Sequence, residues 1–590
     1  MASTISEVLA ATTEAHGQRP AMRYKKDNRW HDITWSQYTD DARKVAKAFI
    51  KLGLSPGSGV SIIGYNCPQW FTADVAGILA GGVPAGIYTT CSPEQCQYIT
   101  EHCDADIVVA ENAEQLAKFK SVRDQLPKVK AYVLMFGEDP DGEAHTWDAV
   151  LEMGAAESDE ALNERLAAQK PDDVCTLIYT SGTTGPPKAV MITHTNIIWT
   201  AETAMQVIRG GHEDILLSYL PLSHIAEQLI SVHGPMAMGA CTAFAEGLEQ
   251  LGDNLREIRP TFFLGVPRVW EKIQAKMVAA GSQNSGLKKK IAAWARTVGL
   301  EAGYAEQKGE GKPMFFGLAN KLVFSKVREK LGLDRCRMAI TSAAPISKST
   351  LEFFLSLGLP IYEVYGMSEC TGPATISLPH RYRTGSAGFC IPGAELKIAE
   401  DGEVCMRGRH VFKGYYKNPD VTAETIDEEG WLHSGDIGTI DDDGFLKITD
   451  RKKDLLITAG GENIAPQLIE GQLKAIPVVA QAVVVGDRRK YLAALFTLDP
   501  EKVVAEAQAC GSSATDVTAA STCETFHAHL QAQVEEINKS LARVQTIKRF
   551  VVIPGEFTIE GGELTPTMKI KRKVIREKYA EQITSLYPTE

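Results

Sequence analysis

Residues 179–190 read Tyr-Thr-Ser-Gly-Thr-Thr-Gly-Pro-Pro-Lys-Ala-Val, a run of small hydroxyl residues, two glycines and one lysine set between two apolar segments. Val174 to Tyr179 before it and Val190 to Ile192 after it both have strand character, so the run is a loop joining two strands. Gly182 and Gly185 let backbone N–H groups turn inward, Thr180, Ser181, Thr183 and Thr184 add hydroxyl donors, and Lys188 adds a full positive charge. Polyphosphate is the anion that uses all three kinds of donor. The nucleotide-triphosphatase loop needs Gly-Lys-Ser/Thr at the mouth of a helix. Here Lys188 follows Pro187, precedes Ala189 and leads into a strand, so that motif is excluded. A Gly/Thr-rich hairpin with no ligand is the competing reading of this stretch alone.

Outward from the loop, the chain alternates helix and strand. Ala42–Leu52 is helical with Val45, Phe49 and Leu52 on one face; Gly59–Gly64 is a short buried strand, Trp70–Gly81 a Gly/Ala-rich helix, and Val83–Tyr88 another strand. Such alternation predicts a doubly wound α/β layer. The small residues Ala76, Gly77, Ala80 and Gly81 are read as packing residues. Phe354–Tyr362 predicts an apolar strand running into the polar turn Tyr365-Gly-Met-Ser-Glu-Cys-Thr-Gly372. Ligands of open α/β sheets collect at such strand ends. From Gly385 to Thr449 the composition shifts toward Gly, Asp and β-branched residues, with turn signals at Asp401-Gly402 and Asp443-Gly444. A β-rich subdomain is expected there. The charge run Asp450-Arg-Lys-Lys-Asp454 marks a boundary. Beyond it a smaller α+β domain is expected, with Val478–Val485 and Tyr491–Leu498 paired as a hairpin and a polar helical insert over Pro500–Val544.

The 590 residues, 44% of them hydrophobic, allow two to four domains of ordinary size. A formal net charge of −12 argues against nucleic acid as the main partner. Twelve cysteines form no Cys-x-x-Cys pair, which points to reduced thiols rather than a zinc or redox site. Neither a signal peptide nor a membrane-spanning run is expected, and the terminal residues carry no organelle address. A cytoplasmic location is expected, with peripheral membrane contact left open by Lys288–Lys290 ahead of Ile291, Trp294, Ala295 and Val298 at helical spacing; a solvated helix packed on the core is the commoner outcome.

Several segments occur in an order that resembles the adenylate-forming (AMP-binding) superfamily along nearly the whole chain. They are the 179–190 loop, Leu220-Pro-Leu-Ser-His224, Tyr365–Gly372, Gly388-Phe-Cys-Ile-Pro-Gly393, Ser434-Gly-Asp436 and Gly561-Gly-Glu-Leu-Thr-Pro-Thr-Met-Lys569. Each is weak alone; the ordered set is specific, and it looks most like the bubblegum-type long-chain fatty acyl-CoA synthetases. The resemblance implies a large domain over 1–452, its β-rich subdomain near 385–450, and a small mobile domain over 453–590 hinged at 451–454. It also implies two half-reactions: a fatty carboxylate and ATP give acyl-AMP and pyrophosphate, then coenzyme A gives acyl-CoA and AMP.

The resemblance assigns roles residue by residue. Thr180, Ser181, Gly182, Thr183, Thr184, Gly185 and Lys188 would hold the β- and γ-phosphates; Glu369, with Thr184, would hold Mg²⁺. Ser342, Ala343 and Ala344 would line the adenine edge, Tyr365 would stack on it, and Gly366, Met367 and Ser368 would complete that turn. Asp436 and Arg451 would hold the ribose. Lys569 would reach both carboxylate and α-phosphate, and His224 would lie beside the substrate carboxylate. Lys453 would be the hinge, and Gly461 would face coenzyme A after domain rotation. Ser368 stands where Thr is commoner, and Ala189 where Gly is commoner; both leave the site intact. A medium-chain or aryl acid:CoA ligase shares the fold, and a carrier-loading enzyme is disfavoured because no carrier module follows. An inactive nucleotide- or lipid-binding module is the alternative of another class, and the retained Glu369, Asp436, Arg451 and Lys569 weigh against it. A homodimer is compatible with the sequence, which has no interface signature.

Overall fold

The computed structural model describes residues 2–180, 186–283, 285–460, 462–558, 560–565 and 569–587. Two large sheets dominate. One has eight strands, in the order Gly414–Tyr415, Lys188–Thr193, Val174–Thr180, Val83–Ile87, Gly59–Ile63, Ala105–Ala110, Ala131–Leu134 and Ala144–Thr146. From Val174–Thr180 to Ala144–Thr146 every neighbouring pair is parallel. Parallel strands are covered on both faces, and the sequence obeys that rule: every residue of Gly59–Ile63 and Ala105–Ala110 is buried. The helix Pro68–Leu79 lies against this sheet, buried from Trp70 onward. A Cβ added at Gly77 would meet Pro84 Cγ at 3.0 Å, so the small residue sets how closely helix and strand approach.

The second sheet has nine strands, in the order Phe389–Cys390, Gly372–Ile376, Ile361–Met367, Met338–Thr341, Phe262–Leu264, Ile215–Ser218, Cys241–Phe244, Pro20–Lys26 and Arg29–Thr34. Its central pairs are parallel and its flanking hairpins antiparallel. The expected strand over 354–362 is corrected here. Phe354 is buried in the helix Lys348–Leu355, and the strand starts only at Ile361. The run is apolar throughout, and an apolar run cannot by itself separate a buried helix end from a strand; Gly358 and Pro360 lie at the junction.

The β-rich segment forms a four-stranded antiparallel sheet of Glu395–Ile398, Glu403–Arg407, Leu432–Ile440 and Leu446–Arg451. Residues 456–587 build two cores of their own. Phe496, Phe526, Leu530 and Val534 centre one, and Leu495, Ile553, Phe557 and Ile575 the other. There Val479–Val485 and Leu492–Leu498 form the expected hairpin, Ile547–Val552 joins in parallel, and the helices Pro500–Ala509, Val517–Thr522 and Glu524–Asn538 fill the insert. This mixed α/β architecture is that of the sequence reading. All twelve cysteines are free thiols.

Candidate active site

The anion loop is carried by a β-hairpin. Val174–Thr180 and Lys188–Thr193 pair antiparallel, with Thr180 directly opposite Lys188. Ser181, Gly182, Thr183, Thr184 and Gly185 lie outside the described residues. The strand Gly414–Tyr415 adds to the same edge, Tyr415 opposite Val190, and so brings the Tyr415 ring 4.9 Å from the Lys188 ammonium.

A cavity of about 1510 Å³ opens between this hairpin, the strand ends of the nine-stranded sheet, and the small domain. Thr180, Lys188, His224, Ser342, Ala343, Ala344, Tyr365, Gly366, Met367, Ser368, Glu369, Asp436, Arg451, Lys453 and Lys569 all line it. Every sequence-predicted site residue within the described part therefore faces one space. Gly461 lies outside the described residues.

The geometry at each position follows from local structure. Met338–Thr341 ends at the cavity, and the next residues, Ser342 to Ala344, turn along its wall. Ala343 has φ 73°, a left-handed conformation that costs a non-glycine residue on the order of 1–3 kcal/mol and is typically kept where a ligand contact demands it. Ile361–Met367 ends in a single 3-10 turn, Ser368–Cys370, which buries the Glu369 side chain. Gly366 is obligatory, because a Cβ there would sit 1.7 Å from the Gly372 carbonyl oxygen. Tyr415 donates its hydroxyl to Glu369 Oε1 at 2.7 Å, and the Phe412 amide donates to the Glu369 carbonyl at 2.9 Å. The carboxylate is thus held on one oxygen.

Asp436 and Arg451 are cross-strand neighbours in the four-stranded sheet. Arg451 Nε lies 3.0 Å from Asp436 Oδ1, and the Tyr365 hydroxyl donates to Asp436 Oδ2 at 2.8 Å. Burial, together with the Asp436 charge, holds the Tyr365 phenol far above its usual range. That triad joins the nine-stranded sheet to the β-rich subdomain at the cavity floor.

Lys569 is paired with Thr565: the Thr565 amide donates to the Lys569 carbonyl at 2.8 Å and the Lys569 amide to Thr565 Oγ1 at 3.0 Å. Its ammonium is pushed down to about 8 by burial among protein groups and by Arg451, against the pull of Asp436 and Glu369. The Lys453 ammonium is lowered in the same way, by burial and Arg451. Among the described residues Lys188, Lys453 and Lys569 have no carboxylate within ion-pair distance. Asp436 and Glu369 only partly offset Lys569, so an anion entering the cavity would meet cations that no ion pair has already taken up.

His224 begins the short helix Ile225–Glu227, and its Nδ1 accepts from the Ala226 amide at 3.2 Å. Burial, then repulsion from Lys569, pushes its imidazolium down to about 4. A neutral ring whose Nδ1 accepts carries its proton on Nε2, so it offers one N–H donor.

Two functional neighbours have no signal in the sequence. Tyr415 lies 46 residues beyond Glu369 and reaches it only through strand addition to the Lys188 strand. Glu227 is buried and accepts from Ser218 Oγ at 2.6 Å, Ser231 Oγ at 2.8 Å and the Tyr219 amide at 3.2 Å, which pins the His224 segment onto the strand Ile215–Ser218. Its proximity to His224 in Leu220–Gln228 was readable, but its partners were not.

Comparison with known proteins identifies the family. The AMP-binding enzyme profile matches residues 9–416, and the AMP-binding enzyme C-terminal domain profile matches 453–590. The long-chain-fatty-acid–CoA ligase ACSBG2 of Xenopus laevis is 45% identical over 625 residues, spanning 100% of this chain and 85% of that protein. ACSBG1 of Bos taurus is 39% identical over 617 residues, spanning 99% and 85%. Among solved structures, the adenylation domain of a carboxylate reductase from Mycobacterium chelonae superposes with a TM-score of 0.76 at 22% identity, covering 99% of this chain and 91% of that one. The anthranilate-CoA ligase AuaEII in complex with anthranoyl-AMP gives 0.75 at 19%, covering 99% and 100%. At those identities the structures speak for the fold; the sequence matches speak for descent. The chain belongs to the adenylate-forming AMP-binding enzyme family, in its bubblegum-type group.

Proposed function

We propose that this enzyme is a long-chain fatty acid:CoA ligase of the AMP-forming kind. The observation that carries the reading is the single cavity in which Lys188, Lys453 and Lys569, without ion-pair partners among the described residues, meet the buried carboxylate of Glu369 and an apolar wall that includes Met205, Ile208, Leu229, Phe262 and Ile340. Its size of about 1510 Å³ exceeds the roughly 300–1,000 Å³ of an ordinary small-ligand pocket, as two bound reactants require.

In the first half-reaction a carboxylate oxygen attacks the α-phosphorus of ATP; the new bond is an acyl-phosphate anhydride, and pyrophosphate leaves. Thr180 and Lys188 hold the departing phosphates, Asp436 and Arg451 hold the ribose, and Tyr365 with Ser342–Ala344 holds the base. Lys569 offsets the charge that accumulates between the carboxylate and the α-phosphate. The His224 Nε2–H orients the carboxylate from the acyl side. The work asked of these groups is positioning and charge balance rather than covalent chemistry.

Glu369 fits Mg²⁺: it is a buried carboxylate, anchored through one oxygen by Tyr415, on the phosphate side of the cavity. A hard cation there would supply charge neutralisation across the phosphates. In the second half-reaction the coenzyme A thiol attacks the acyl carbonyl, AMP leaves with the bonding electrons, and the thiol proton passes to solvent. Rotation of residues 453–590 about 451–454 would withdraw Lys569 and bring the Gly461 face to the cavity. That the adenylating residues converge on one cavity disfavours the inactive-module alternative.

The reading places the enzyme in the cytoplasm or loosely on a membrane surface; no helix among the described residues is long and apolar enough to cross one. The test is product analysis with ATP, Mg²⁺, coenzyme A and fatty acids graded from short to very long. Acyl-CoA and AMP in equal amounts, greatest for long chains, is expected. Greatest turnover with medium-chain or aryl acids would reassign the substrate, and binding of ATP without turnover of any acid would overturn the reading.

A further inference from the structure

We infer that the outer face of residues 286–322 is a docking surface for an anionic lipid bilayer. The helix Gly286–Gln307 begins with Leu287, Lys288, Lys289 and Lys290, all exposed, and none of the three lysines has an ion-pair partner among the described residues. Three lysines in a first turn oppose the helix dipole, which favours carboxylates there. No described carboxylate compensates them, which leaves their charge open to an anionic surface.

An apolar stripe accompanies the charge. Leu287, Ile291 and Trp294 follow one another at helical spacing, and the Trp294 ring meets the Phe315 ring edge-on at 6.4 Å. From Phe315 the stripe continues along the next helical segment through Leu318 and Leu322. Met314 is 85% exposed, Leu287 73% and Phe315 50%. Ala295, Val298, Ala319 and Phe324 pack into a small core of their own between the two helical segments, with the half-buried Trp294 packed against it, which leaves Leu287, Met314, Phe315, Leu318 and Leu322 exposed. What remains outside is therefore an unburied second face rather than an unfinished core.

Two features commit this face to a lipid surface. Residues 276–330 hold eleven lysines and arginines against four glutamates, in a chain whose overall charge is −12. A basic rim around apolar side chains matches a bilayer with anionic headgroups, where the lysines meet phosphates and the apolar tips enter the acyl boundary. The face is also continuous with the cavity. Leu300 and Tyr304 of the same helix pack on the apolar wall that includes Phe262 and Ile340, and Gln307 exchanges hydrogen bonds of 2.9 and 3.0 Å with the cavity-lining Thr384. A bilayer held here would lie beside the acyl side of the site. That benefit rests on the proposed substrate; the surface itself stands on exposure and charge.

The experiment is co-sedimentation of the full chain with vesicles of phosphatidylcholine alone and of phosphatidylcholine mixed with phosphatidylserine, at low and high salt. Binding to the mixed vesicles at low salt, weakened by salt, is expected. The charge-reversed K288E/K289E/K290E chain should lose at least tenfold in vesicle affinity, and F315S/L318S should lose a similar factor, both with unchanged melting temperature and unchanged turnover of a short soluble acid. A wild-type chain that stays in the supernatant with both vesicles would overturn the proposal, as would variants that sediment like wild type. Dimerisation abolished by F315S/L318S without vesicle binding would assign the face to a second copy instead. Failure of turnover with every acid would sink the functional reading while leaving the vesicle result to stand alone.

Discussion

Removing the Lys569 ammonium should have opposite effects on stability and on catalysis. The side chain is open to the cleft, yet its ammonium is pushed down to about 8 by burial and by Arg451. A fall from the ordinary ~10.4 to about 8 corresponds to about 3 kcal/mol of unfavourable charge before screening. Because water reaches the group, roughly half of that survives, about 1–2 kcal/mol. Lys569→Ala should therefore stabilise the ligand-free chain by about 1–2 kcal/mol, seen as a higher midpoint in urea unfolding. Adenylation should move the other way. A single donor aimed at developing charge is worth about 3–4 kcal/mol, so acyl-AMP formation should fall by roughly 10²–10³-fold.

The assay separates the half-reactions: pyrophosphate release reports the first, and thioester formed from supplied acyl-AMP reports the second. The first should collapse while the second stays within a few-fold of wild type. Equal losses in both would mean that Lys569 acts by holding the fold of the site rather than by its charge. An unchanged first half-reaction would refute the mechanism outright.

The remaining predictions use the same geometry. Since the folded-state value for Lys569 is depressed, its destabilisation is complete below pH about 8 and fades as pH rises toward ~10.4, so the stability gap between wild type and Lys569→Ala should close over that window. The kcat/KM for ATP should fall as pH rises through about 8 for the same reason, a limb that Lys569→Arg should displace upward. Tyr415→Phe removes the hydroxyl that holds Glu369, and a Mg²⁺ titration of pyrophosphate release should show metal affinity weakened by about 10–100-fold. Arg572→Ala strands the buried Glu470, which Arg572 grips at 2.7 and 2.6 Å; unfolding of the full chain should show a loss of about 3–5 kcal/mol, most of it recovered when Glu470→Leu is added.

How far the sequence carried the structure depended on the range of the interaction. The alternation of buried strands and amphipathic helices over 42–88 was legible because it is set by local periodicity and by burial on both sheet faces. The 478–498 hairpin was legible because its turn carries Gly486 and its flanks are apolar. The same argument failed at 354–362, where helix end and strand start share one apolar composition and only tertiary packing divides them. Site residues were legible where a motif is contiguous, as at Tyr365–Glu369 or Ser434–Asp436. Tyr415 was not, because its role exists only after a two-residue strand pairs beyond Lys188. The left-handed Ala343 was hidden too, since alanine gives no hint of a positive φ.

The seam between the two parts of the chain is held by weak polar contacts. Among the described residues Asp450 Oδ2 accepts from the Gln467 amide at 2.9 Å, at the start of the helix Pro466–Leu473, and Lys474 Nζ lies 3.5 Å from Glu271 Oε1. A helix-capping carboxylate contributes about 1 kcal/mol and a partly exposed ion pair up to ~1. By contrast, the links inside the small domain are buried, as Arg572 with Glu470 shows, and Arg572 Nε lies 3.6 Å from Asp454 at the proposed hinge. A rotation at 451–454 would then give up about 2 kcal/mol of polar contact at the seam while leaving the rotating body intact. That sum is of the size that differential binding of one nucleotide state can supply, since about 2.7 kcal/mol changes a two-state ratio roughly a hundredfold. In the proposed cycle, release of pyrophosphate would remove the anion that balances Lys188, while the acyl-AMP phosphate would stay beside Lys569. Loss of that charge would thereby be the change of nucleotide state that biases the seam toward the second half-reaction.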